Sequence, residues 1–299
     1  MAPVLNILEE AAFWAALFLL VIRPLSERMT TFFVDRCDAR AQLMNKESKI
    51  LSNQFDESKM FAAVGIQHAM AALMVFYGMS TQNFGWVRSG ILSEWSFQLV
   101  DLIHTWFRIG AFEHVKDTWR GAMAEHHLAG LTSGIAIVYC EMFDNVHVQR
   151  IVFTMMFFSG SFLCVLFIMR NISNAQGRTD IALVITQIEL FFGLIICRFI
   201  IFPLEAMKLA WSIYKASPLL AFLIFACSVT MSLFNLRMLK PKLSMITKLK
   251  TSSKQDNVKH EDQVQNLKEK TISSSRLLTR RSSSNISSGR KLAIQTQRS

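Results

Sequence analysis

Apolar residues gather along the chain in runs at about 5–23, 59–78, 91–110, 125–142, 151–169, 181–202 and 218–239. Each run is close to the ~20 residues that a helix needs to cross a hydrocarbon core about 30 Å thick. The pattern predicts an all-α protein, a multi-pass transmembrane helical bundle of about seven spans, and no internal repeat is visible. The first run is the shortest, with 12 uninterrupted apolar residues from Ala11 to Ile22. Glu9 and Glu10 precede it and Arg23-Pro24 follow, whereas a secretory leader has a basic start and a small-residue cleavage site. It is therefore expected to be a retained span.

Polar residues break into these runs in a patterned way. In the third run, Glu94, Gln98, Asp101, His104, Thr105 and Arg108 recur at helical spacing and share one side of a helix. An ionisable side chain near the centre of a span costs roughly 2.5–3.5 kcal/mol on insertion scales, so this side is expected to face protein or a water-filled cavity. The fourth run opens on Glu125, His126 and His127, which an antiparallel hairpin brings toward Arg108. The second run adds Gln67 and His68, and the sixth adds Gln187, Glu189 and Arg198. Such a set serves either as a satisfied hydrogen-bond network or as the lining of a working cavity. Asp101 is placed to orient His104, and Glu125 to orient a histidine of another helix. Glu189 and Arg198, nine residues apart, are not expected to pair. Adjacent histidines point about 100° apart on a helix, so no metal site is expected; acid–base chemistry suits them better.

Lys and Arg alternate between loops. The first, third and fifth loops and the C-terminal end are rich in them, while the intervening loops offer only Arg88, Arg150, and Lys208 with Lys215. Since such residues resist translocation, the expected topology has the N-terminus lumenal and the C-terminus cytosolic. An odd number of spans satisfies this; six would put the tail or the first loop on the wrong side.

Composition adds one refinement. With 52% hydrophobic and 18% charged residues the chain is unlike a soluble domain. Of its net charge of +10, nearly all belongs to residues 241–299, which hold 13 Lys/Arg against 4 Asp/Glu. Three regions follow: 1–54, a first span with a basic cytosolic loop; 55–245, the polytopic domain; and 246–299, a basic, Ser-rich tail expected to be disordered. Arg280-Arg281-Ser282-Ser283-Ser284 in the tail suits basic-directed kinases, and the neighbouring lysines suit an anionic leaflet. Nucleic acid is not an expected partner. Cys37, Cys140, Cys164, Cys197 and Cys227 form no close pair and read as small buried hydrophobes.

The segment from Lys116 to Leu131, with its His126-His127 pair, resembles the histidine-pair helix of the TLC domain. That domain is shared by ceramide synthases, the translocating-chain-associating membrane protein and the ceroid-lipofuscinosis protein. Phe97 to His104 looks like the family's aspartate-bearing helix, Leu190 to Pro203 like its late helix with an Arg before a Pro, and Leu233-Phe-Asn235-Leu like its final span. The resemblance covers about 55–245. It implies an integral protein of the endoplasmic reticulum or a connected membrane that works on lipid composition, handling or synthesis, with membrane lipids as partners. It carries over His126, His127 and Asp101 alone as the catalytic candidates; Glu94, His104, Arg108, His68 and Arg198 are expected to line a ligand cavity on the separate ground that ionisable residues within spans need a polar surrounding. Ceramide synthases carry two closely spaced aspartates in the next helix; here Phe153 to Leu163 holds Ser159-Gly160-Ser161 and no acid. Acyl-CoA is a co-substrate only if the chain is nonetheless an acyltransferase. A non-enzymatic cargo receptor or translocation accessory is the reading from another class.

Overall fold

The computed structural model describes residues 2–36, 49–107 and 117–251. Among these there is no strand. The chain forms long helical rods: α1 (2–36), α2 (Lys49–Thr81), α3 (Phe84–Phe107), α4 (Asp117–Tyr139), α5 (146–175), α6 (Thr179–Tyr214) and α7 (Pro218–Thr251). Four contain segments long and apolar enough to cross a membrane: Ser58–Thr81 in α2, Val146–Asn174 in α5, and the whole of α6 and α7. The protein is thus an all-helical one with membrane-spanning character. α3 is diluted by Arg88, Glu94 and Asp101, and α4 opens on Asp117, Arg120 and Glu125.

Short connections set the order. The links at 81–84, 139–146 and 214–218 force α2 against α3, α4 against α5 and α6 against α7 at one end of the bundle. The α4–α5 link includes a tight turn, Met142–Asp144, entered through Glu141 with φ 50°; Asn145 then caps α5 by accepting from the His147 and Val148 backbone N–H groups at 2.9 and 3.4 Å. Toward this end lies the main apolar core, where Val75, Val87, Ile91, Ala136, Val148, Leu209, Ile213 and Ile224 pack together. Gly90 permits the α2–α3 crossing, because a Cβ there would lie 2.7 Å from the Ala71 carbonyl oxygen. A second cluster, Phe18, Ile22, Ala63, Phe97 and Val100, seats α1 on α2 and α3. The outer surface is apolar: Leu20, Tyr139, Trp211, Leu219 and Phe222 are all more than two-thirds exposed.

Three rods are not uniformly α-helical. At Phe18–Ile22, Thr154–Phe162 and Glu189–Ile201 the backbone widens to i→i+5 hydrogen bonding. Two of these stretches stop just before a proline, Pro24 and Pro203. A proline ring clashes with the carbonyl four residues earlier and offers no N–H, and a wider turn relieves both problems. The third holds Gly160.

α7 runs to Thr251, six residues into the segment expected to be tail. The chain divides into compact units at Leu249 and Lys250. Residues 252–299, including the expected disordered segment and the Arg280 to Ser284 motif, lie outside the described residues, as do Arg108 and Cys37. Cys140, Cys164, Cys197 and Cys227 are free thiols, the last three buried.

Candidate functional site

The helical phase of α3 determines what its polar residues meet. Taking 100° per residue, Glu94, Gln98, Asp101 and Thr105 stay within about 60° of one another, whereas His104 falls about 80° from Glu94. The first four are buried, from 0 to 8% exposed. His104 instead turns to α1, where its Nδ1 lies 2.9 Å from Arg23 Nη1. Asp101 does not orient His104, contrary to the expectation from their spacing; it faces α4.

There the carboxylate meets the second histidine of the pair. Asp101 Oδ2 lies 2.7 Å from His127 Nε2, and His127 Nδ1 lies 2.5 Å from Gln98 Oε1. Gln98 Nε2 donates to Glu94 Oε1 at 2.8 Å, and Glu94 Oε2 accepts from His68 Nδ1 at 2.9 Å. The chain of contacts therefore runs His68, Glu94, Gln98, His127, Asp101 across α2, α3 and α4. Its protons can be assigned. An ionised Glu94 only accepts, so Gln98 turns its NH2 toward it and offers its carbonyl to His127, which must carry its proton on Nδ1. His127 Nε2 would then present a lone pair to the Asp101 carboxylate unless one proton is shared between them. The Asp101 contact is close but unaligned, since Nε2 makes no directed hydrogen bond. Small residues let the network close: a Cβ on Gly160 would lie 2.6 Å from the His68 ring, and one on Gly130 3.3 Å from Gln98 Oε1. Gln67, beside His68, donates to the Ser93 carbonyl at 3.2 Å.

His126 behaves differently from its neighbour. Among the described residues it makes no hydrogen bond, and its Nδ1 is buried without a partner. The ring packs against Phe234 of α7 with centroids 4.7 Å apart. Arg198, His127 and His68 are its electrostatic neighbours. Arg198 donates from Nε to Ser159 Oγ at 2.5 Å, from Nη2 to the Ser159 carbonyl at 3.2 Å and from Nη1 to Asn235 Oδ1 at 3.4 Å. Ser159 and Arg198 both sit in widened stretches, which re-aim side chains that a regular helix would direct elsewhere.

Glu189 does not pair with Arg198, as its spacing suggests. It is 2% exposed, receives Arg170 Nη1 at 2.5 Å and contacts the partly exposed Lys242 Nζ, so that α5, α6 and α7 are joined by an ion triad around a buried carboxylate. Glu125, expected to orient a histidine, is exposed and paired with Arg237 of α7. Gln98 as the hub, and the partners Ser159, Asn235, Arg170 and Lys242, are not evident from local sequence. The one available signal for Lys242 is its position a single turn beyond the last apolar run.

Elsewhere, His147 Nδ1 meets Glu205 Oε2 at 2.7 Å near the short-turn end, with Lys208 on the other carboxylate oxygen. An open depression of about 650 Å³ near Glu10, Asn83, Trp86 and Arg88 is floored by the bond from Ser89 Oγ to Glu10 Oε1. Among the described residues no group of His, Cys, Asp and Glu could hold a metal ion. No family model matches the chain, and neither a curated protein nor a solved structure does.

Proposed function

We propose that this chain is a TLC-like integral membrane protein of the endoplasmic reticulum that acts on lipid composition or handling. All seven rods would span, with the N-terminus lumenal. The observation that carries the reading is His126: a histidine without hydrogen bonds, inside a bundle, beside a network that can hold and pass a proton. A histidine kept only for packing is normally satisfied, because a buried unpaired polar group costs about 1–3 kcal/mol. The aromatic residues support the placement. Tyr77, Trp86, Tyr139, Trp211 and Tyr214 are exposed at the ends joined by the short links, as an interfacial belt would be.

In this reading His126 is the group that meets a lipid substrate, and His127, held by Gln98 and Asp101, positions it and buffers its charge. Between lipid handling and acyl transfer from acyl-CoA, the first is favoured. The stretch where ceramide synthases keep two aspartates has Ser159, engaged by Arg198, and Gly160, packed on His68. A non-enzymatic accessory role is the alternative, and the internal satisfaction of most of the network favours it.

Lipid profiling of cells overexpressing the protein separates the two. Wild type is expected to shift the abundance of at least one lipid class, and His126→Ala to abolish the shift while the protein is retained. A shift that persists in the His126→Ala/His127→Ala double variant would refute the enzymatic reading. For topology, Asn171 and Asn285 should escape glycosylation although both head Asn-x-Ser sequons; a glycan on either would reverse the orientation.

A further inference from the structure

Arg198 is a cation whose surroundings among the described residues do not account for its charge. Its acceptors are a hydroxyl, a backbone carbonyl and an amide oxygen, all neutral, and no carboxylate of the described residues lies within ion-pair distance. The buried acids nearby are already engaged: Glu94 by His68 and Gln98, Asp101 by His127, and Glu189 by Arg170 and Lys242. A guanidinium carries five N–H donors, and the Asn235 contact at 3.4 Å is too long to satisfy one well. The other neighbours of this centre, among them His126, His68 and the Cys164 and Cys197 thiols, are basic or neutral. Neither Arg198 nor His126 is fully covered by protein; each keeps accessible surface although it sits among α4, α5, α6 and α7. His126 Nδ1 is sealed and unpartnered, so Nε2 is the ring nitrogen from which a donor can reach a ligand.

We propose that Arg198 and His126 together form a binding site for the anionic headgroup of an amphiphile, a carboxylate or a phosphate, which supplies the charge the protein withholds. Arg198 is the charge partner and His126 the second donor. Ser159 and Asn235 position the guanidinium. The inference deepens the reading of a lipid-handling protein and rests on it for the class of ligand, but it concerns binding and not turnover.

The test uses the full chain purified in a neutral detergent, with thermal unfolding as the readout. Oleate and oleoyl lysophosphatidate are added at matched mole fraction, with oleyl alcohol as the uncharged analogue and inorganic phosphate as a free anion. The anionic amphiphiles are expected to raise the unfolding midpoint and oleyl alcohol to leave it unchanged. A shift with inorganic phosphate alone supports the same site with a soluble anion as its occupant. Arg198→Gln should weaken apparent affinity about tenfold or more, and His126→Phe, which keeps the ring on Phe234, about threefold. Equal stabilisation by oleyl alcohol, or an undiminished shift in Arg198→Gln, would overturn the site. If Arg198→Gln does not fold, the charged-against-uncharged comparison on wild type decides alone. Because no cellular lipid change is measured, failure here is distinguishable from failure of the lipid-handling reading.

Discussion

Where α2, α3 and α4 meet, Glu94 and Asp101 are held by two imidazoles and an amide; where α5, α6 and α7 meet, Glu189 is held by a guanidinium and an ammonium. Both clusters answer the same cost of placing a carboxylate away from water. They answer it differently. The ion triad matches permanent charge with permanent charge, so it can only hold or break. The imidazole network matches acceptors with protons that can move, and its state can change without any helix moving. The first arrangement suits an anchor and the second suits chemistry, which is why the candidate site is placed on the second.

The largest expected effect breaks the anchor. Glu189→Leu leaves Arg170 and Lys242 with no carboxylate between them and should destabilise the purified protein by about 3–5 kcal/mol in thermal or denaturant unfolding. Replacing all three by apolar residues should restore most of the loss, and a single-variant loss below about 1 kcal/mol would mean that the triad is not an anchor. Gln98→Leu comes next. It strands both His127 Nδ1 and Glu94 Oε1, for an expected loss of about 2–3 kcal/mol in the same assay. Asp101→Asn should cost less than about 1 kcal/mol, because the amide can donate to His127 Nε2 and so removes the need for a shared proton. A larger loss than that of Gln98→Leu would shift the centre of the network to Asp101. The smallest effect is at the surface: Glu125→Ala breaks an exposed pair with Arg237 and should change stability by under about 0.5 kcal/mol.

Hydrophobic runs were enough to locate the seven rods among the described residues, although only four of these hold segments long and apolar enough to cross a membrane, and the short links then dictate which rods are neighbours. The α3 stripe was legible for the same geometric reason, since 3.6 residues per turn puts Glu94, Gln98 and Asp101 on one side. His104 departs from the stripe: proximity in sequence suggests Asp101 as its partner, while its phase directs it to Arg23. The pairings of Arg170, Glu189 and Lys242 were not legible: they join residues 19 and 53 positions apart on three rods, and no local period encodes such a choice. Nor were the widened stretches read, although Pro24 and Pro203 mark the ends of two of them.

α7 supplies Phe234 behind His126, Asn235 to Arg198 and Lys242 to Glu189. During synthesis this helix emerges after the other six. Lys242 leaves the ribosome 53 residues after Glu189, which at about 5–20 residues per second is a delay of about 3–10 s. For that interval Glu189 lacks Lys242 and Arg198 lacks Asn235. Chains ending before Pro218 never gain these partners, so a Glu189 without its ammonium and an Arg198 without its amide mark a chain that lacks α7.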